Sequence, residues 1–413
     1  MEGARDSVVV HLDAPELGSR RAVGTLARER SEAKSVFSFA YEAGWIETAA
    51  AFPLDPALPL FEGDQYASAL PGAFADAAPD RWGRTLLERR EALRARRAEG
   101  PPRRFDDWDF LLAVDDRTRM GALRLARSDH RDYVAADALP IPPVARLREL
   151  EHWARELEEG LSDEMSEEDR WVAMLVAPGS SLGGARPKAS FADGDDLWIA
   201  KFPSSEDRHD VGAWEYVLSG LAEGAGIEVP EAKLMPLGST YRTYCAKRFD
   251  RMGAERRLYA SAMTLAGRRD NEDASYLDIV RAIVERGDAD AIAIDLEQLF
   301  RRLVFNLLTG NRDDHLRNHG FLRTAGGWRL APAFDVNPSM TRQEHSLAID
   351  GTVRIPDLDL ARDTARHYRL SAARAQQLIG EVSDAVGRWP ELARQVGLPR
   401  DEIARVGIAF ASA

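Results

Sequence analysis

Residues 310–320 read GNRDDHLRNHG. They follow LEQLFRRLVFNLLTG (296–310), an apolar run with the spacing of a core helix. Within ten positions come two aspartates, two histidines, two asparagines and two arginines. Gly310 is the expected stop of that helix, so the polar residues leave it as a loop. Asp313 and Asn318 lie five positions apart, offering a carboxylate and an amide oxygen within one short loop. His315 and His319 are four apart, a spacing that brings two rings together only on a helix. The glycines at both ends argue for a loop instead.

The spacing D-x-x-x-x-N is also that of the catalytic base and metal-binding asparagine of protein kinases. Phosphoryl transfer needs a carboxylate to orient the attacking hydroxyl and oxygen ligands for Mg²⁺, a hard cation. A further aspartate is then expected after a hairpin. HGFLR (319–323), a TAGG turn and WRLAPAFD (328–335) supply the hairpin and Asp335. Upstream, GSSLGGARPKAS (179–190) is rich in small residues that let backbone N–H groups approach phosphate, though it lacks the P-loop spacing. KASFADGDDLWIAKFP (188–203) reads as a hairpin that carries Lys201 late in its second strand. VGAWEYVLSGLAEG (211–224) reads as a helix bearing Glu215. CAKRFDR (245–251) is placed as a hinge, which makes Lys247 and Phe249 candidates to face an adenine. Each feature alone also fits a polar loop, a flexible connection or a surface charge. Their order along the chain is what singles out a kinase.

The composition bounds the reading. At 413 residues the chain exceeds one ordinary core. With 45% hydrophobic and 30% charged residues it is typical of soluble proteins. The single cysteine, Cys245, excludes an internal disulfide. No apolar run approaches the ~20 residues of a membrane span. The opening MEGARDSVVV lacks the layout of a signal peptide. Together these predict a cytoplasmic protein. A net charge of −13 argues against binding nucleic acid by bulk electrostatics. Three blocks are expected: a β-rich subdomain over 1–135, a mixed α/β block over 136–248 and a mainly helical block over 249–413. Strands are predicted for SVVVHL (7–12), SVFSFAY (35–41) and MGALRLA (120–126), and helices at about 85–97, 166–176, 273–286, 295–309, 371–388 and 390–396.

With these residues in view, the chain resembles the HipA family of toxin kinases. The resemblance rests on SSLGGARPKA (180–189), Lys201, RFDR (248–251), N-x-D-x-H-x-x-N (311–318), and Asp335 followed by Pro338. LPGAFADAAPDRWGR (70–84) and RMGALRL (119–125) resemble the family's N-terminal subdomain. It implies an α+β, bilobal, protein-kinase-like fold and an ATP- and Mg²⁺-dependent serine/threonine protein kinase. It implies Asp313 as the catalytic residue and Asn318 and Asp335 as metal ligands. Lys201, Glu215, Gly183, Gly184, Lys188, Lys247, Phe249 and His315 would form the ATP site. Autophosphorylation at Ser181 or the adjacent Ser180 would eject the Gly-rich segment and inactivate the enzyme. Family members of known target phosphorylate aminoacyl-tRNA synthetases and are neutralised by a helix-turn-helix antitoxin of the HipB kind. DNA would then be reached only through that partner. One departure is Arg186, where the best-studied branch carries glutamine.

Three other readings compete. A lipid or small-molecule kinase would use the same ATP site but transfer phosphate to no protein. A catalytically silent co-repressor would bind its antitoxin, and ATP without turnover. A metal-dependent hydrolase built on His315 and His319 would need zinc and no nucleotide.

Overall fold

The computed structural model describes residues 5–30, 35–127, 133–135, 140–159 and 186–411. Two compact units divide the chain: Met1–Ala200 with Asp250–Ala260, and Lys201–Phe249 with Ser261–Ala413. The helix expected at 166–176 falls outside the described residues.

The first unit is built on a five-stranded antiparallel sheet. Its spatial order is Gln65–Ala67, Ser35–Tyr41, Arg21–Arg30, Arg5–Leu12 and Leu123–Ala126. In the strand Arg5–Leu12, Val8, Val10 and Leu12 alternate into the core, as period-2 patterning dictates. The neighbouring strand Arg21–Arg30 is not legible in the same way. Its RAVGTLARER carries charges, and its inward Arg28 is buried. Arg28 is held by Asp6 at 2.5 Å and Asp106 at 2.6 Å, which offsets the cost of burying its charge. Asp106 opens a second helix, Asp107–Ala113, through a capping box with Asp109. The helix Arg81–Arg97 starts at Asp80, whose side chain accepts from the Gly83 amide at 2.8 Å. Three arginines in its last turn complement the helix dipole.

Two motifs that are far apart in sequence meet in this unit. Asp250 accepts a hydrogen bond from the Gly121 amide at 2.8 Å. Arg251 donates to Asp250 at 2.6 Å and to the carbonyls of Arg119 at 2.6 Å and Gly121 at 3.2 Å. Arg256, on the hairpin Arg251–Met252/Glu255–Arg256, donates to the Asp116 carbonyl at 2.5 Å. Asp250 and Arg251 thus hold the start of the RMGALRL segment.

The second unit is mainly helical, with an antiparallel strand pair at Ala232–Met235 and Thr243–Lys247 and another at Gly320–Arg323 and Trp328–Leu330. Its central helix, Ile292–Thr309, buries Leu296, Leu299, Phe300, Leu303, Val304, Phe305 and Leu307 and packs against Ala372–Val386 and Tyr276–Arg286. Each such side chain contributes roughly 1.5–3 kcal/mol by leaving water. The helix Val211–Gly224 is capped by Asp210, and its Trp214 indole donates to Glu402 at 3.0 Å. The short helices Leu358–Thr364 and Arg400–Val406 are too brief to show a clear period in sequence.

The central helix ends where expected. Gly310 adopts φ 64°, and a Cβ there would lie 2.6 Å from the Ala409 carbonyl oxygen. Both the left-handed backbone and the close approach therefore require glycine. Gly310→Ala is expected to destabilise the protein by on the order of 1–3 kcal/mol, read as a lower midpoint in denaturant with an unchanged slope. An unchanged midpoint would show that the turn relaxes freely.

Candidate active site

The second unit brings together side chains from three separate segments. Lys201 ends the strand Asp196–Lys201, Glu215 lies in the second turn of Val211–Gly224, and Asp335 follows the strand Trp328–Leu330. The Lys201 ammonium donates to Glu215 at 2.5 Å and to Asp335 at 2.7 Å. It also sits 5.6 Å from the centre of the Tyr244 ring. Burial opposes its charge, but Asp335 and then Glu215 outweigh burial and raise its pKa. Glu215 is pushed upward by burial and by the Asp335 charge, against the pull of Lys201. One ammonium thus serves two carboxylates, and the cluster carries an excess negative charge that suits a cation. Asp335 itself adopts φ 59°, the left-handed region that few non-glycine residues visit.

The polar loop lies in the same unit. Asn318 donates its Nδ2 to the Asp313 carbonyl at 2.8 Å. Only the amide nitrogen can donate to a carbonyl, so the orientation is fixed and Oδ1 points away. That buried Oδ1 has no hydrogen-bond partner. A buried acceptor left bare costs free energy unless something fills the place, and a hard cation takes such an oxygen. The bare Asn318 Oδ1 and the Asp335 carboxylate are oxygen donors of the kind Mg²⁺ takes, so the residues present fit that ion. The Asp313 carboxylate is about half exposed and accepts from Arg342 at 2.6 Å.

Other sequence candidates are placed as follows. His315 precedes the 3-10 turn Leu316–Asn318, and its carbonyl accepts the Asn318 amide at 2.8 Å. The Lys247 amide donates to the Glu231 carbonyl at 2.8 Å, and Phe249 packs against Phe334 with ring centres 5.4 Å apart. Lys188 belongs to the first unit. There its ammonium is buried against Asp80 at 2.7 Å, while its carbonyl accepts from the Trp82 indole. Gly183, Gly184, Ser180 and Ser181 lie outside the described residues.

The histidine pair does not form a metal site. His315 and His319 flank the 3-10 turn rather than share a helical face, and His319 is buried with its ring against Tyr276. Among the described residues no three histidine, cysteine or acidic side chains are placed to hold an ion.

Several residues that hold the loop carry no sequence signal. Asp314, beside Asp313, is fully buried and accepts from Tyr276 at 2.7 Å, His345 at 3.1 Å and the Ser346 amide at 2.9 Å. Burial alone would raise its pKa, but the hydrogen bonds from His345 and Tyr276 hold it below the usual carboxylate range. The ionised carboxylate can only accept, so His345 donates through Nδ1. Asn306 donates to the Tyr276 hydroxyl at 2.8 Å, and Asn311 donates to Asn306 at 3.0 Å. The Asn311 carbonyl oxygen then accepts the Asn337 amide at 3.3 Å.

His319 makes the loop sensitive to acid. Burial, with Arg302 nearby, pushes its pKa down to about 3. The unfolded chain binds this proton below about pH 6.5, while the folded protein does not until about pH 3. The unfolded state then holds more protons, so the His319 contribution is complete above about pH 6.5 and is lost as pH falls, by up to about 1.4 kcal/mol per unit. His319→Gln is expected to reduce the loss of unfolding free energy between pH 7 and pH 5 by up to about 2 kcal/mol in urea titrations. An identical pH dependence in both proteins would exonerate this ring.

Comparison with known proteins agrees with this architecture. A family model for the HipA N-terminal domain matches residues 17–126, and one for the HipA-like C-terminal domain matches residues 180–389, just over half the chain. Among solved structures, HipA of Shewanella oneidensis MR-1, determined as a toxin–antitoxin complex of HipA, HipB and operator DNA, has a TM-score of 0.66. Its identity is 18%, over 98% of this chain and 95% of that one. The Helicobacter pylori proinflammatory kinase CtkA aligns at a TM-score of 0.35 and 17% identity, over 54% of this chain and 93% of its own. No curated protein matches. A β-rich N-terminal region, a helical C-terminal region and two matching domain models lead to one assignment: the chain belongs to the HipA family.

Proposed function

We propose that this protein is an ATP- and Mg²⁺-dependent serine/threonine protein kinase, the toxin of a toxin–antitoxin pair. The observation that carries the reading is the buried Lys201 ammonium held between Glu215 and Asp335, with the bare Asn318 oxygen in the same unit. Lys201 would release Asp335 and bind phosphate oxygens, with Glu215 keeping it in place. Asn318 and Asp335 would hold Mg²⁺, which neutralises charge on the phosphates. Asp313, the exposed acid of the loop, would orient the acceptor hydroxyl. His315 orders the loop through its carbonyl. Lys247 and Phe249 are assigned to the adenine end of the site. Gly183 and Gly184 are assigned to the phosphate end, and Ser181 or Ser180 to self-inactivation.

The cellular target in this reading is a translation protein such as an aminoacyl-tRNA synthetase, which the family resemblance supports. The partner is a helix-turn-helix antitoxin. Two facts support that: the S. oneidensis structure contains HipB and operator DNA, and a net charge of −13 suits a chain that reaches DNA through a partner. No described helix is long and apolar enough to cross a membrane.

The test is incubation of purified, phosphatase-treated protein with labelled ATP and Mg²⁺, followed by phosphosite mapping. Label on Ser180 or Ser181 is expected, and Asp313→Asn should remain folded while transfer falls by about two orders of magnitude or more. Transfer to a lipid or metabolite alone would replace the protein-kinase reading. Failure to bind nucleotide would end it.

A further inference from the structure

We propose that Arg342 is a positioning residue that sets the Asp313 carboxylate for phosphoryl transfer. The inference rests on the reading of Asp313 given above. Among the described residues, Arg342 is the only side chain bonded to that carboxylate, through Nη1 at 2.6 Å to Oδ1. Everything else near Asp313 fixes its backbone: Asn318 holds the carbonyl, and the loop closes through the Asn318 amide. Without a partner, an aspartate this exposed would sample several rotamers.

Arg342 is not there for stability. Its side chain is 53% exposed and that of Asp313 54%, and solvent-exposed pairs of this kind contribute little to folding. Yet Arg342 is tied at several points to the loop that carries Asp313. Its amide donates to Ser339 Oγ at 3.2 Å, and the Ser339 amide donates to the Gly310 carbonyl at 2.8 Å. Its carbonyl receives the Arg312 guanidinium. Its Nη1 also reaches Ser346 Oγ at 3.2 Å, which in turn donates to the Arg312 carbonyl at 3.0 Å. Residues 339–346 thus form a strap across residues 310–314, and Arg342 is the point at which the strap touches the carboxylate. The bond occupies Oδ1 and leaves Oδ2 to accept from an incoming hydroxyl. A small misplacement of such a group costs up to about a hundredfold in rate.

The experiment measures single-turnover autophosphorylation of full-length wild type, Arg342→Ala, Arg342→Lys and Asp313→Asn across ATP concentrations, with thermal unfolding as the folding control. Arg342→Ala is expected to lower the maximal rate by on the order of ten- to a hundredfold with an unchanged half-saturating ATP concentration. Arg342→Lys, which keeps one donor, should restore part of the loss. The double variant Arg342→Ala with Asp313→Asn should be no slower than Asp313→Asn alone, because Arg342 acts only through that carboxylate. A wild-type rate in Arg342→Ala would overturn the proposal and leave the kinase reading intact. So would a faster rate, which would make the contact an inhibitory latch. No transfer by the wild type would overturn the kinase reading and this inference with it.

Discussion

The site depends on one buried ammonium shared by two carboxylates. Lys201, Glu215 and Asp335 come from a strand, a helix and the segment after a hairpin, and no backbone hydrogen bond joins those three positions in the described network. Removing one partner from such a cluster costs about 3–5 kcal/mol, because a charge is left buried without compensation. Replacing all three by well-packed apolar groups is often neutral. Stability alone therefore does not explain why the charges are kept. In the kinase reading proposed above, a metal ion with its phosphates would complete the cluster.

A chain of hydrogen bonds connects this cluster to the polar loop. Asp314 is held by Tyr276, Tyr276 by Asn306, Asn306 by Asn311, and Asn311 by the Asn337 amide. The Asn337 side chain in turn bonds to Glu215. Every member is uncharged except the terminal carboxylates, so the network crosses the interior without burying further unpaired charge. This explains why so much polar chemistry follows a core helix. Asn311 and Asp314 are satisfied inside the protein, while Asp313 faces outward and pairs with Arg342.

Much of this was legible in the chain. Gly310 as a helix stop, Lys201 late in a strand, Glu215 on the next helix and Asp335 beyond a hairpin all follow from local pattern, and the structure unites Lys201, Glu215 and Asp335. What local pattern cannot show is which of two adjacent acids faces inward. Asp313 and Asp314 are identical in sequence terms, yet their environments are opposite because Tyr276 and His345, dozens of positions away, close over only one. The same limit hid the strand Arg21–Arg30, where a buried arginine breaks the alternation and its partners Asp6 and Asp106 lie elsewhere. It also hid the pairing of Asp250 with Gly121, since neither motif names the other.

The segment after Asp335 shows how strain and strapping work together. Asp335 holds a left-handed backbone that costs of order 1 kcal/mol or more, and such a conformation persists only where neighbours over-determine it. Those neighbours are present. The Asn337 amide is fixed by Asn311, the Ser339 amide by Gly310, and the Ser346 amide by Asp314. All three anchors lie on the loop that begins at Gly310, so the loop and the segment define each other's path. The left-handed turn at Gly310 delivers Asn311 and Asp314 to the segment, and the segment returns Asp335 to Lys201 and Arg342 to Asp313. A change that lets the backbone relax at either turn should therefore disturb both carboxylates at once, although they lie 22 positions apart.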